Sequence, residues 1–231
     1  MILKLTAGLC LYMILMLWLI RLNKDSGISR EQLIRLTLYG IFGALLSTLI
    51  GLIVGINGHL KGWRPAGSLV SLAFSAWIMK GLTEQTARYI ALRMGSRSEE
   101  MMTWFDAVFF GAVIGTAFGL GKGIAELFET GSTLLGIARE LLPVHFAAGV
   151  WTGWLYGKGI RTNNPVYTAG AFILPALIQG LYEFLISYHF AENGMWYITF
   201  IGTAAAAAGA AFTVLCLLRW KNRKNMNELS A

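Results

Sequence analysis

In a chain that is 56% apolar and only 13% charged, a few polar side chains stand inside or at the ends of long apolar runs. They are Glu84 and Arg88 in TEQTARY, Lys122 and Glu126 in GLGKGIAE, His145 in LLPVHFAAGVW, and Gln179 and Glu183 in ILPALIQGLYEF. Three of these sets are spaced i, i+4, which stacks both members on one helix face about 5–6 Å apart. An ionisable side chain within a membrane segment costs on the order of 2.5–3.5 kcal/mol on insertion scales, so it normally faces the bundle interior and has a partner or a task. Carboxylates and a histidine from three or four helices could bind a metal ion and let one carboxylate deprotonate the metal-bound water, which is the chemistry of peptide hydrolysis. Plainer readings stand beside that one. Glu84 with Arg88 could be an ion pair near the interface, Lys122 and Glu126 the snorkelling end of a helix, and His145 a hydrogen-bonded structural histidine. Glu183, a carboxylate in an otherwise apolar helix, has the least ready structural explanation.

These residues need helices to position them. The apolar runs near 5–20, 36–57, 66–79 continuing amphipathically to 95, 104–121, 141–157, 167–187 and 196–218 approach the roughly 20 residues needed to cross a bilayer core of about 30 Å. The fold expected is an all-α polytopic membrane bundle of about seven transmembrane helices in one domain spanning 1–231. The third helix is the irregular one, because its apolar run is interrupted at Lys80-Gly81 and reads as either one long tilted helix or a broken element. Gly111, Gly115, Gly119 and Gly123 recur every four positions, as do Gly149, Gly153 and Gly157, which predicts close backbone packing between the fourth and fifth helices. Lys and Arg concentrate in the 21–35, 93–103 and 158–166 loops and in the tail RWKNRK. By the positive-inside rule that places the N-terminus outside and the C-terminus in the cytoplasm of a cell membrane. The net charge of +7 then reads as topology and contact with anionic lipid at the cytoplasmic face, not as nucleic-acid binding. Cys10 and Cys216 fall at different depths, which argues against a disulfide.

Taken in order, the motifs resemble a known family. GLTEQTARYIALR is similar to the E-E-x-x-[KR] helix of the PrsW-type and YhfC-type membrane peptidases, relatives of the CAAX-processing and bacteriocin-immunity superfamily. WFDAVFFGAVIGTAFG resembles their D-G-x-x-Y-G segment, GLGKGIAE the G-x-G-H-G-G-x-E segment, ELLPVHFAAGVWTGWLYGK the histidine-bearing helix, and LPALIQGLYEF the P-x-L-x-H-G-x-Y-D-F segment. The resemblance covers residues 66–190 as a peptidase-like core. It implies an intramembrane metallopeptidase whose catalytic residues would be Glu84, Arg88, His145 and Glu183. The metal, zinc in the first instance, would be held by Glu84, His145 and Glu183, with Glu126 as a further ligand. The same alignment puts Gln85 on the second glutamate, Lys122 on a polar ligand, Gln179 on the last histidine and Glu183 on the last aspartate, so these positions depart from the pattern.

Two functions therefore stand open. In one, the chain hydrolyses membrane-embedded peptide segments; in the other, it is an inactive pseudo-peptidase that binds a transmembrane peptide or membrane-protein partner, with Lys122 ion-paired to a carboxylate in the metal's place. A small transporter carrying protons on Glu183 is a third reading, disfavoured by the lack of an inverted repeat. The expected topology also sets Glu84 deeper than His145 and Glu183, a conflict for any shared site.

Overall fold

A computed structural model describes residues 2–22, 28–60, 69–96, 104–127 and 144–191, with single helical positions at 209 and 213. The elements run α1 (Ile2–Leu22), α2 (Arg30–Leu60), α3 (Leu69–Phe74), a π-helical segment (Ser75–Leu82), α4 (Thr83–Gly95), α5 (Trp104–Leu127), α6 (Val144–Thr162) and α7 (Pro165–Ala191). No strand occurs among the described residues, which are all-helical as expected. Three stretches, within 30–53 of α2, 106–125 of α5 and 165–185 of α7, are long and apolar enough to cross a membrane. That is three of the seven expected crossings; the last expected run, 196–218, lies outside the described residues apart from 209 and 213, as does Cys216.

Two of the helices carry apolar stripes outward. On α2, Ile34, Leu38, Phe42, Leu45 and Leu49 are each more than half exposed and recur every three or four residues, and Ile173, Leu177 and Leu181 form a similar stripe on α7. A continuous stripe of that size is an aggregation liability in water and the ordinary surface of a helix in lipid. A Ser29 to Gln32 capping box starts α2: the Gln32 N–H donates to Ser29 Oγ at 3.1 Å and the Ser29 N–H to Gln32 Oε1 at 3.4 Å, so two of the donors left over at the helix start are satisfied.

At the centre is α5, whose apolar stretch Asp106–Ala125 is almost wholly buried. Its glycines explain how. A Cβ placed on Gly111 would overlap the carbonyl oxygen of Gly149, one on Gly115 that of His145, and one on Gly153 that of Ala107. The expected glycine stripes thus meet each other, and α5 and α6 pack backbone against backbone. On another face of α5, Gly121 abuts Ala44, and Gly40 of α2 abuts Ala117 and Ile114.

Residues 69–95 form one continuous helical rod, which decides between the two paths the sequence left open for the third helix. Lys80 and Gly81 do not turn the chain back; they lie in the π segment, where one turn of wider hydrogen-bond register re-aims the side chains that follow. Gly81 has no Cβ and so lies directly against the Ala176 carbonyl and Gly180 of α7. Trp77 covers Gly180 and packs on Phe184 with ring centroids 5.2 Å apart.

The tight turn from α6 to α7 has its own signature. Asn163 sits at φ 49°, its N–H donates to Ile160 O at 3.3 Å, and the Asn164 N–H donates to Gly159 O at 3.0 Å, the paired bonds of a Schellman motif. Asn164 then caps α7 by accepting from the Val166 N–H at 2.9 Å, with Pro165 at the first helical position. Asn164→Ala is expected to lower stability by about 1 kcal/mol, read as a small drop in the thermal midpoint of the protein in detergent.

Candidate functional site

Four helices bring their polar side chains to one buried cluster. From α4 come Glu84, Gln85 and Arg88, from α5 Lys122, from α6 His145 and Thr152, and from α7 Gln179 and Glu183. All but Lys122 are at most 3% exposed, and the Lys122 side chain is 20% exposed.

Glu84 is the junction. Its Oε1 accepts from Lys122 Nζ at 2.9 Å, its Oε2 accepts from Gln179 Nε2, and the same Oε2 lies 3.8 Å from His145 Nδ1. These contacts set Glu84, Lys122, His145 and Gln179 at one level of the bundle. Glu84 and His145 therefore share one level, and since the chain does not turn back at Lys80-Gly81 the depth expected for the start of the third helix is what shifts.

Arg88 occupies the middle of the cluster. Its Nε donates to Gln85 Oε1 at 3.2 Å, one terminal nitrogen lies 2.7 Å from His145 Nδ1, and the other donates to Gln179 Oε1. The guanidinium carbon stands 4.9 Å from the centre of the Phe118 ring, and the His145 ring packs on Phe118 at 5.1 Å. A guanidinium has only donors. The 2.7 Å contact is therefore a hydrogen bond in the tautomer whose Nδ1 accepts and whose Nε2 carries the proton.

Gln85 is a clamp that sequence reasoning placed only as a substituted glutamate. Its Nε2 donates to Thr152 Oγ1 at 2.8 Å and to the Ala171 carbonyl at 3.0 Å. That carbonyl is the one deprived of its helical partner by Pro175, four residues on and inside α7, since proline has no N–H to donate. The amide thus repairs the proline gap while its oxygen faces Arg88. Gln85→Glu would set a carboxylate oxygen against the Ala171 carbonyl, and is expected to destabilise the protein by roughly 1–3 kcal/mol, seen as a lower midpoint in a thermal melt.

Glu183 stands one turn beyond Gln179 on α7 and belongs to a second ion pair, with Lys80 Nζ 2.7 Å from its Oε2. The structure therefore brings Glu84, Arg88 and His145 together, adds Gln85, Lys122 and Gln179 as their partners, and pairs Glu183 with Lys80 of the π segment. Glu126 lies in the last turn of α5, and its side chain is outside the described residues. Three contributors escaped the sequence reading: Thr152 and Phe118, which look like ordinary helix-packing residues, and Lys80, which looked like an interruption.

A zinc site needs about three protein ligands and an open position. In this cluster both Glu84 oxygens, His145 Nδ1 and Glu183 Oε2 are each turned toward a hydrogen-bond donor, and three of those donors are the cations Lys122, Arg88 and Lys80. Among the described residues no group of three or more His, Cys, Asp or Glu side chains is arranged to hold a metal ion. In this arrangement the donor set does not fit a divalent cation.

No family model matches the chain, and no solved structure matches it. Among curated proteins it is similar to one named Protease PrsW from Clostridioides difficile (strain 630), at 22% identity over 167 residues, 68% of this chain and 69% of that protein.

Proposed function

We propose that this protein is an intramembrane-protease-like membrane protein that takes a membrane-embedded peptide segment against its polar core and holds it without metal-dependent hydrolysis. The similarity to a PrsW protease across two thirds of each chain supports the protease-like part of the reading. The observation that carries the non-hydrolytic part is the engagement of Glu84 by Lys122 and of His145 by Arg88. A carboxylate that serves as counter-ion to an ammonium, and an imidazole whose acceptor nitrogen faces a guanidinium, are poor ligands for zinc and poor bases for water. In this reading the chain is a multi-pass protein of the cell membrane, with its N-terminus outside and its basic loops and C-terminus against the anionic cytoplasmic leaflet.

The competing reading, a working zinc peptidase using Glu84, His145 and Glu183 with Arg88 beside them, is favoured by the name of the relative. One experiment separates the two. The purified protein is reconstituted in nanodiscs with a single-span peptide carrying a photo-crosslinker, in zinc and in EDTA. The proposal expects crosslinks near α4 and α7 that do not depend on EDTA, with the peptide intact. Zinc-dependent cleavage lost in Glu84→Gln would establish the hydrolase instead.

A further inference from the structure

The donors and acceptors around Arg88 form a cradle of one particular shape. The guanidinium is 1% exposed, and its partners Gln85, His145, Gln179 and Phe118 are between 0% and 1% exposed. Three acceptors, Gln85 Oε1, His145 Nδ1 and Gln179 Oε1, reach its three nitrogens from α4, α6 and α7, while α5 supplies the Phe118 face. Neither glutamine amide can turn over without loss. The Gln85 nitrogen is committed to Thr152 and the Ala171 carbonyl, and the Gln179 nitrogen to Glu84, so both amide oxygens are pinned toward Arg88. Acceptors arranged about the edges of a planar group, with an aromatic ring over its face, match a guanidinium; an ammonium or a metal ion offers neither the plane nor the fork.

We infer that the polar core is a guanidinium-binding cradle with Arg88 as its resident cation, sharing His145 with the set of residues that the family resemblance gives to a metal. The inference rests on the proposed function only for that comparison. Glu84 adjoins the cradle, bonded to the Gln179 amide and anchored by Lys122. Removing the Arg88 side chain would then leave a site of defined specificity, open to a small guanidinium from solution.

The test uses the full-length protein in detergent. Elemental analysis of the wild type, after equilibration with zinc and desalting, should find far less than one zinc per chain, and neither zinc nor EDTA should move its thermal midpoint. Arg88→Ala should melt several degrees lower and regain part of that loss in millimolar methylguanidinium, but not in methylammonium at the same ionic strength. Should Arg88→Ala fail to fold, Arg88→Lys decides: it keeps the charge, loses the fork and should melt well below wild type. One bound zinc per wild-type chain that disappears in His145→Ala, recovery of Arg88→Ala by zinc or by methylammonium, or an Arg88→Lys midpoint equal to wild type would each overturn the inference. Absence of peptide crosslinks beside an intact guanidinium response would count against the proposed function alone.

Discussion

Lys122→Ala is expected to cost about 3–5 kcal/mol, the usual penalty for removing one partner of a buried ion pair, and to lower the melting midpoint by on the order of 10 °C in a chain of this size. The direction follows from where the two members sit. Glu84 is 3% exposed and Lys122 20%, so deleting the lysine removes the ammonium that faces Glu84 Oε1 while the carboxylate stays in the bundle interior. Deleting the carboxylate instead leaves an ammonium on a flexible stem that can swing toward the surface. Glu84→Ala should therefore cost less than Lys122→Ala, and the double variant less than their sum, with a coupling of roughly 0.5–3 kcal/mol. A thermal melt of all four proteins in one detergent reads the cycle. Equal midpoints for wild type and Lys122→Ala would mean that Lys122 is a helix end reaching for the interface and that the cluster has no structural cation at that position.

The meeting of Glu84, Arg88, His145 and Gln179 was legible before the fold was known, because the cost of placing them in apolar helices leaves few places for them except together, whereas Glu183, expected at the same site, pairs with Lys80. The i, i+4 spacing of Glu84 and Arg88 correctly put both on one inward face, where Gln179 and His145 of two other helices reach both of them. What composition could not show was register. A π turn leaves no mark in residue types, so Lys80-Gly81 read as a break, whereas Gly81 is a contact surface for α7 and Lys80 the partner of a carboxylate 103 residues away. The role of Gln85 was hidden for a similar reason. It depends on the carbonyl that Pro175 frees at Ala171, and nothing local to TEQTARY announces a vacancy on another helix. The glycine stripes were legible as close packing, and only the structure says which glycines of α5 meet which of α6.

That pairing makes Gly115→Ala the substitution that should connect packing to the site. The new Cβ would meet the His145 carbonyl oxygen, with Gly149 Cα at 3.0 Å and the His145 carbonyl carbon at 3.1 Å, all backbone atoms that can yield only if α6 moves as a unit. Overpacking of this kind costs typically 1–3 kcal/mol, opposed by the roughly 0.5–1 kcal/mol that alanine gains over glycine inside a helix. Gly51→Ala supplies the control, since a Cβ there meets nothing within 4 Å; it should melt at or slightly above wild type. The displacement at Gly115 acts on the very residue whose ring accepts from Arg88 at 2.7 Å, so the loss should not stop at stability. With α6 pushed outward, the His145 nitrogen signals in a nitrogen-15 spectrum should shift away from the pattern of a ring accepting at Nδ1, while Gly51→Ala leaves them in place. A lowered midpoint with unchanged imidazole signals would show that the helix seam and the polar cluster are mechanically independent, and the bundle would then have to hold His145 by something other than its contact with α5.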